Sequence, residues 1–123
     1  MPNQQNSYTI GLLYEKKAIK LLQAKGFQIL KHNYRGKYAQ VDIICRKKNK
    51  VYLVEVKKTS LQALNTTVKR FQRYQKNRLI EESIFLLENY FKKRHLRVEL
   101  LLIIFANNSN LPLLLYQHNP PKI

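Results

Sequence analysis

The sequence predicts an α/β fold in which one mixed β-sheet is flanked by helices. Two observations carry this prediction: an amphipathic helical pattern opens the chain, and a longer one separates two groups of apolar, β-branched strands. The longer helix lies between the strands at residues 51–57 and 98–105, so it can cross over the sheet and make those strands parallel. The predicted order is α-β-β-β-α-β-β.

The first helix is predicted over residues 8–25, where apolar residues recur at helical spacing and lysines occupy the other side. Ser7 is the expected N-cap. Gly26 is the expected C′ residue, because glycine readily adopts the left-handed conformation that ends many helices. Residues 27–30 form a short strand, and residues 33–38 are expected to form a loop.

The clearest strands are residues 41–46 and 51–57, which a charged turn at residues 47–50 joins as a hairpin. Residues 98–105 form a buried strand. Residues 113–117 form a last strand at the edge of the sheet, because the preceding proline cannot donate a ladder hydrogen bond.

The second helix is predicted to start at Thr66 or Thr67, with one of them as its cap, and to run to about Lys92. A break is expected near Ile80. Its apolar stripe is expected to consist of Val68, Phe71, Tyr74, Leu79, Ile84, Leu87 and Phe91.

A length of 123 residues suits a single domain over residues 1–123, with frayed ends at about residues 1–7 and 119–123. The single cysteine excludes an internal disulfide framework. The apolar runs are too short to span a bilayer, and the first residues lack a signal-peptide pattern. A cytoplasmic protein without a membrane partner is expected.

The net charge of +16 is the strongest signal in the composition. A small domain with this excess attracts polyanions over a long range, so nucleic acid is the first candidate partner. An anionic membrane surface is the second candidate. A lysine-rich composition without functional meaning is the third interpretation.

Two acids interrupt the apolar strands, and a lysine accompanies one of them. Side chains alternate along a strand, so Glu55 and Lys57 point to the same face. If the two clearest strands form a hairpin, Asp42 lies beside Glu55. Two close carboxylates suit a Mg²⁺ or Mn²⁺ ion, which polarises a phosphoryl oxygen and activates water. A lysine on the same face can orient that water and stabilise developing charge.

Glu15 is the third acid of interest. It lies next to the apolar residues of the first helix rather than among its lysines, so it can reach the metal directly or through water. Structural alternatives stay open. Asp42 and Glu55 can be acids paired with lysines, Lys57 an ordinary strand-end lysine, and Glu15 a surface acid paired along its helix.

Basic residues near these acids are candidate phosphate contacts. The candidates are Arg35, Lys58, Lys69, Arg73 and Lys76. For those on the long helix, an ordinary solvated face is the alternative. Gln75 can touch the site if its face turns inward. Tyr34 and Tyr38 can stack on bases, with core or loop packing as the alternative.

The order of these motifs resembles the YraN-like family, small proteins related to PD-(D/E)xK endonucleases and to archaeal Holliday-junction resolvases. The resemblance covers about residues 11–87. It is carried by the segments GLLYE (11–15), KGFQIL (25–30), NYR (33–35), VDII (41–44) and LVEVK (53–57).

The resemblance implies a restriction-endonuclease-like core in which Asp42 and Glu55 are metal ligands, Lys57 is the catalytic lysine and Glu15 is the supporting acid. Two positions depart from the family. It usually has Gly-Glu where this chain has Ala39-Gln40, and it often has lysine at the position of Gln75.

The function expected from the sequence is therefore a metal-dependent DNA endonuclease, acting on branched or otherwise structured DNA. A homodimer would supply a second site for the second strand. The alternative, motivated by Gln40, is a non-catalytic nucleic-acid-binding protein that keeps the nuclease fold. A third hypothesis is an assembly protein whose basic face docks an acidic partner.

Overall fold

The structure, a computed structural model, describes residues 7–91 and 94–118, with side chains to residue 113. Its helices and strands follow the predicted order of α-β-β-β-α-β-β. Helix α1 is Ser7–Ala24. The first three strands are β1 Gln28–Arg35, β2 Gln40–Lys47 and β3 Lys50–Thr59. The helical segment is α2 Leu64–Arg70, a π turn Phe71–Gln75, α3 Lys76–Leu86 and a second π turn Leu87–Phe91, and the last strands are β4 Arg97–Ala106 and β5 Pro112–His118.

The five strands form one mixed sheet in the order β1-β2-β3-β4-β5. β3 and β4 are parallel, and the other neighbours are antiparallel. The helical segment between β3 and β4 makes the crossover that a parallel pair requires. The predicted α/β class and the mixed sheet are confirmed. No helix in the described part of the chain is long and apolar enough to cross a membrane.

The described part of helix α1 is Ser7–Ala24, and Ser7 is itself helical rather than the residue that caps the helix. Ser7 is the one residue of the predicted frayed ends, at about residues 1–7 and 119–123, that the structure describes. The rest of both predicted frayed ends lies outside the described residues. Gly26 is the expected C′ residue: its φ is 89°, its N–H donates to Gln23 O at 3.0 Å, and Phe27 N–H donates to Leu22 O at 3.0 Å. These two bonds define a Schellman end and confirm the prediction.

Strand β1 is longer than predicted, and residues 33–35 are strand rather than loop. The segment is too polar for its pattern to reveal a strand, but β2 supplies its hydrogen bonds. A bulge lies between Ile29 and Lys31, and Asn33 has a φ of 54°. Only residues 36–39 form the turn, closed by Gly36 N–H donating to Ala39 O at 2.9 Å.

The long helical segment begins at Leu64, so the predicted start and cap at Thr66 or Thr67 are wrong. Thr67 Oγ1 instead donates to Thr59 Oγ1 at 2.9 Å and ties the helix to β3. The predicted break near Ile80 is also wrong, because α3 is continuous there. The predicted end near Lys92 lies outside the described residues.

The departure from α geometry falls at the π turn Phe71–Gln75 instead. Phe71 and Leu79 are buried as predicted, but Tyr74 is 60% exposed. A π turn contains more residues than an α turn. The residue that returns to the same face as Phe71 is therefore the fourth after it, Gln75, rather than the third, Tyr74. The π turn therefore directs Gln75, not Tyr74, toward the sheet.

The sheet carries a hydrophobic core on each face. One core lies under the long helical segment and includes Leu53, Phe71 and Leu79. The other lies under α1 and includes Tyr14, Val54 and further apolar residues. Two faces covered by helices make β3 a central, buried strand, where a charged side chain needs a specific partner.

Candidate functional site

The site begins where β2 and β3 part. Their ladder ends at the pair Ile43 and Val54, although the same register would next set Asp42 opposite Glu55 and then Val41 opposite Val56. Val56 N–H donates instead to Asp42 Oδ2 at 2.7 Å. The carboxylate thus takes the place of a strand partner and holds the gap between the two strands open.

Asp42 lies where two neighbouring strands change face. Asn33, which is opposite it in register, has the left-handed φ of 54°. On one side of this point Ile43 packs under α1, and on the other Val41 and Tyr34 pack under the long helical segment. Strict alternation would put Val41 and Ile43 on the same face. Asp42 therefore lies where β2 passes from packing on one face of the sheet to packing on the other.

Glu55 and Lys57 share a face of β3, as alternation predicts. Glu55 is 8% exposed, and its Oε1 lies 3.3 Å from Lys57 Nζ. A side-chain hydrogen bond joins Glu55 to Asp42. The structure thus brings together the three residues that the sequence singled out.

The two carboxyl groups shift each other's pKa in opposite directions: Asp42 raises that of Glu55, whereas the hydrogen bond from Glu55 lowers that of Asp42. Burial and, after it, the charge of Asp42 raise the pKa of Glu55 to about 8, against the lowering effect of Lys57. Burial also raises the pKa of Asp42, against the lowering effect of the Val56 N–H bond. Without a cation, Glu55 is the partner that carries the shared proton near neutral pH, and it donates that proton to Asp42.

An open cleft of about 470 Å³ leads to the carboxyl pair. Its walls are the turn 36–39 with Gln40 on one side, and Gln75, Arg78 and Leu79 on the other. Gln75 Oε1 is buried without a hydrogen-bond partner among the described residues. Gln75 also lines a neighbouring groove of about 360 Å³ that contains Lys57, Lys58 and Arg70. The cleft therefore continues into a basic surface.

Glu15 approaches the site from α1, on the other side of the sheet. Its Oε1 lies 2.8 Å from His32 Nε2. Burial and the charge of Asp42 raise the pKa of Glu15, while His32 lowers it. Within residues 7–91 and 94–118, no three His, Cys, Asp or Glu side chains converge as metal ligands. The metal role of Glu15 stays a prediction, and its direct partner is His32.

The predicted phosphate contacts lie on strands β1 and β3 and on the long helical segment. Lys58 lies in the basic groove beside Lys57. Lys69 and Arg73 are exposed on the helical segment, with the Arg73 guanidinium 5.3 Å from the centre of the Tyr74 ring. Arg35 is exposed at the end of β1, and Lys76 is partly buried. Their contact with nucleic acid stays a prediction.

Glu82 is a residue near the site that the sequence interpretation missed. Its side chain is fully buried, and Oε1 accepts hydrogen bonds from Tyr38 N–H at 2.6 Å and Ala39 N–H at 3.2 Å. The sequence feature that could have predicted its burial is its spacing on α3: Glu82 comes three residues after Leu79 and four before Leu86, both of which are buried. Glu82 fixes the turn that forms one wall of the cleft.

Glu99 is a second missed acid. It interrupts the apolar strand β4 just as Glu55 interrupts β3, and it is 6% exposed. Its Oε1 lies 3.3 Å from Lys50 Nζ. An acid within an apolar strand thus predicts a buried side chain. Whether that acid belongs to a functional site depends on the side chains that it contacts in the folded protein.

The five-stranded mixed sheet flanked by helices defines an α/β protein, with a buried carboxyl pair and an adjacent lysine where β2 and β3 part. The sequence model of the Uncharacterised protein family UPF0102 matches residues 14–103, so the chain belongs to this family, the YraN-like group that its motifs resemble.

Curated relatives carry the same family name. A UPF0102 protein of Campylobacter jejuni subsp. jejuni is 43% identical over 53 residues, which are 43% of this chain and 47% of that protein. A UPF0102 protein of Fervidobacterium nodosum is 29% identical over 97 residues, covering 79% of this chain and 72% of that protein. The match spans about half the length of the Campylobacter relatives.

Proposed function

We propose that this protein is a Mg²⁺- or Mn²⁺-dependent endonuclease that hydrolyses phosphodiester bonds in DNA, including branched or otherwise structured DNA. The observation that carries the proposal is the buried Asp42–Glu55 pair, with Lys57 Nζ 3.3 Å from Glu55, at an open cleft with a basic rim. Burying two linked carboxyl groups in a central sheet is costly, and a cation would remove that cost.

The donor set of the cleft fits a hard divalent cation. Asp42 and Glu55 already lie close enough to share a proton, and both offer oxygen atoms. Strand geometry directs the Val56 carbonyl into the same gap as its N–H, because both groups of one residue point to the same side. Mg²⁺ takes its remaining ligands from water and substrate phosphate, so a complete protein cage is not required.

A bound Mg²⁺ would supply Lewis acidity toward the phosphoryl group and lower the pKa of water. The chain's own residues have separate tasks. Lys57 orients the attacking water and offsets developing negative charge with its amine. Gln75 Oε1, which is buried without a partner among the described residues, can accept a hydrogen bond from a water molecule in the cleft. Glu15, braced by His32, supports Asp42 from the opposite face.

The first prediction concerns cleavage. Wild-type protein with Mg²⁺ or Mn²⁺ is expected to cut branched, nicked, single-stranded or duplex DNA, and chelation is expected to stop the reaction. Asp42→Asn keeps an oxygen that can accept the Val56 N–H bond but removes the charge, so it should fold and bind DNA yet lose at least about a hundredfold in rate. Lys57→Ala should lose activity to a similar degree. Gel assays on labelled substrates measure both.

Lys20→Ala is the matched control, since Lys20 is an exposed lysine on α1. It is expected to cut DNA at the wild-type rate. Cleavage that persists in both Asp42→Asn and Lys57→Ala would reject the proposed site.

A second candidate function is nucleic-acid binding without catalysis. Two observations favour it: Gln40 stands at the cleft where the family usually has an acid, and no three-ligand metal cluster occurs among the described residues. Titration calorimetry separates the two functions. Mg²⁺ binding that Glu55→Gln abolishes supports the nuclease, whereas tight, salt-sensitive DNA binding without any metal binding supports the alternative.

A further inference from the structure

Three aromatic side chains and a lysine form a continuous surface beside the cleft. Tyr38 and Phe85 lie 6.0 Å apart between ring centres, and Phe85 and Tyr90 lie 6.4 Å apart, both with tilted, edge-on rings. Lys37 Nζ lies 5.4 Å from the centre of the Tyr38 ring and 5.5 Å from that of Phe85. We call Lys37, Tyr38, Phe85 and Tyr90 the aromatic platform.

The platform is open to solvent although aromatic rings are usually buried. Tyr38 is 42% exposed and Tyr90 is 59% exposed. Exposed aromatic rings in a row beside a polar cleft are typical of an interaction surface. Because Lys37 and Tyr38 also line the cleft with Asp42 and Glu55, a ligand on the platform would be continuous with one in the cleft.

The platform is held rigidly on its cleft side. Glu82, which is fully buried, accepts the Tyr38 and Ala39 N–H groups at 2.6 and 3.2 Å. The turn packs so closely on α3 that a Cβ atom at Gly36 would overlap the Glu82 carboxylate. A rigid ring loses little conformational entropy when a partner stacks on it.

The charges around the platform favour a particular orientation of a nucleic-acid chain. Lys37 and Arg78 lie on the cleft side. Glu81 and Glu88 line the hollow on the far side, together with Tyr38 and Phe85. Phosphates are therefore drawn toward the cleft, while the uncharged faces of bases can rest on the rings.

We infer that the aromatic platform stacks unpaired nucleotides next to the phosphate bound in the cleft, so that the protein selects DNA with a single-stranded segment at this position. Bases in a duplex are stacked on each other and cannot offer their faces to the rings, whereas every unpaired base can. The inference rests on the proposed function for the phosphate in the cleft, and it adds the substrate class.

The test measures binding in the presence of EDTA, where no cleavage is expected. Wild-type protein is titrated into a single-stranded oligonucleotide that contains 2-aminopurine, and into a duplex of the same sequence. Tyr38→Ala and Tyr90→Ala are each expected to weaken single-strand binding by about tenfold and duplex binding by less than about twofold. Tyr38→Phe keeps a ring and should retain both the affinity and the fluorescence quenching of the stacked base.

Tyr8→Ala is the matched control, because Tyr8 is 73% exposed on α1, which packs on the other face of the sheet. It should bind both DNAs as the wild type does. Thermal unfolding checks that each variant folds. Tyr90 lies outside the turn that carries Tyr38, so Tyr90→Ala still tests the platform if Tyr38→Ala disturbs that turn. Wild-type affinity in both alanine variants, or an equal loss for single strand and duplex, overturns the inference.

Failure of the inference and failure of the proposed function give different results. If no DNA is cut with any metal but the alanine variants lose single-strand affinity, the nuclease proposal fails and the platform stands. If DNA is cut and the alanine variants bind and cut all substrates equally well, only the platform fails.

Discussion

At the scale of single residues, the carboxyl pair sets the proton balance of the cleft. Glu55 has a pKa of about 8 in the folded protein, against an ordinary value of 4.5. Between these two pH values the folded protein binds more protons than the unfolded chain does. Stability therefore declines as pH rises through this range, the opposite of the usual behaviour of a salt-bridged acid. A metal ion would compete with the proton for the same oxygens.

The second prediction follows from this balance. In EDTA, the free energy of unfolding of the wild type should fall, relative to that of Glu55→Gln, by a few kcal/mol between about pH 5 and pH 8, since one pKa unit corresponds to about 1.4 kcal/mol. Added Mg²⁺ should restore stability to the wild type at pH 8 and not to Glu55→Gln. Urea unfolding across pH measures both effects.

Glu88→Gln controls for the removal of one negative charge, because Glu88 is exposed on the helical segment. It should follow the wild-type pH dependence. If Glu55→Gln shows the same decline in stability as the wild type, the pair does not share a buried proton.

At the scale of elements, the turn between β1 and β2 depends on the helix beneath it. Two backbone N–H groups of this turn are satisfied by Glu82, which belongs to α3. The turn thus has little sequence signature of its own. The π turn Phe71–Gln75 acts in a related way, since its extra width directs Gln75 into the cleft opposite the turn. Both walls of the cleft are shaped by the helical segment.

The third prediction concerns this turn. Glu82→Ala leaves two backbone donors without their acceptor and should destabilise the protein by about 2–3 kcal/mol. Gly36→Ala should destabilise it as well, because a Cβ atom there would overlap the buried Glu82 carboxylate. Urea unfolding measures both changes.

Gly11→Ala is the matched control for the glycine variant. Apart from its chain neighbours and the backbone of its own helix, no described atom lies within 4 Å of a Cβ built at Gly11, which is in the interior of α1. Alanine is the better helix former by about 1 kcal/mol, so this change should stabilise the protein. If Gly36→Ala is neutral or stabilising too, the turn does not pack on Glu82 as described.

At the scale of the whole molecule, the net charge of +16 governs association with a polyanion. The fourth prediction is that DNA affinity falls steeply with salt, with a slope set by the number of phosphates contacted. Lys58→Ala, Lys69→Ala and Arg73→Ala should each weaken binding and reduce the slope of log affinity against log salt by about 0.9 for duplex DNA. Fluorescence anisotropy at several salt concentrations measures the slopes.

Lys20→Ala serves again as the control, because it removes the same charge from the exposed side of α1. Its slope should match that of the wild type. If all four variants reduce the slope equally, binding follows overall charge, and the positions of Lys58, Lys69 and Arg73 have no special part in it.

Local pattern alone determined much of this protein. Alternation placed Glu55 and Lys57 on one face of a buried strand, the interruption of an apolar strand by an acid singled out Asp42, and Gly26 ended α1 as expected. These features depend on neighbours within a few residues in the chain, so the sequence displays them directly. The α/β class followed from the same short-range periodicities.

Only the tertiary structure decided how the pieces meet. The strand character of residues 33–35, the position of Asp42 in the gap at Val56, and the burial of Glu82 under the turn all depend on partners from other elements. The π turn likewise directs Gln75 toward the sheet and leaves Tyr74, which was predicted to be buried, exposed. Hydrogen bonds between distant segments leave no periodic trace in the chain, and for that reason the residues of the site were predictable while the walls of its cleft were not.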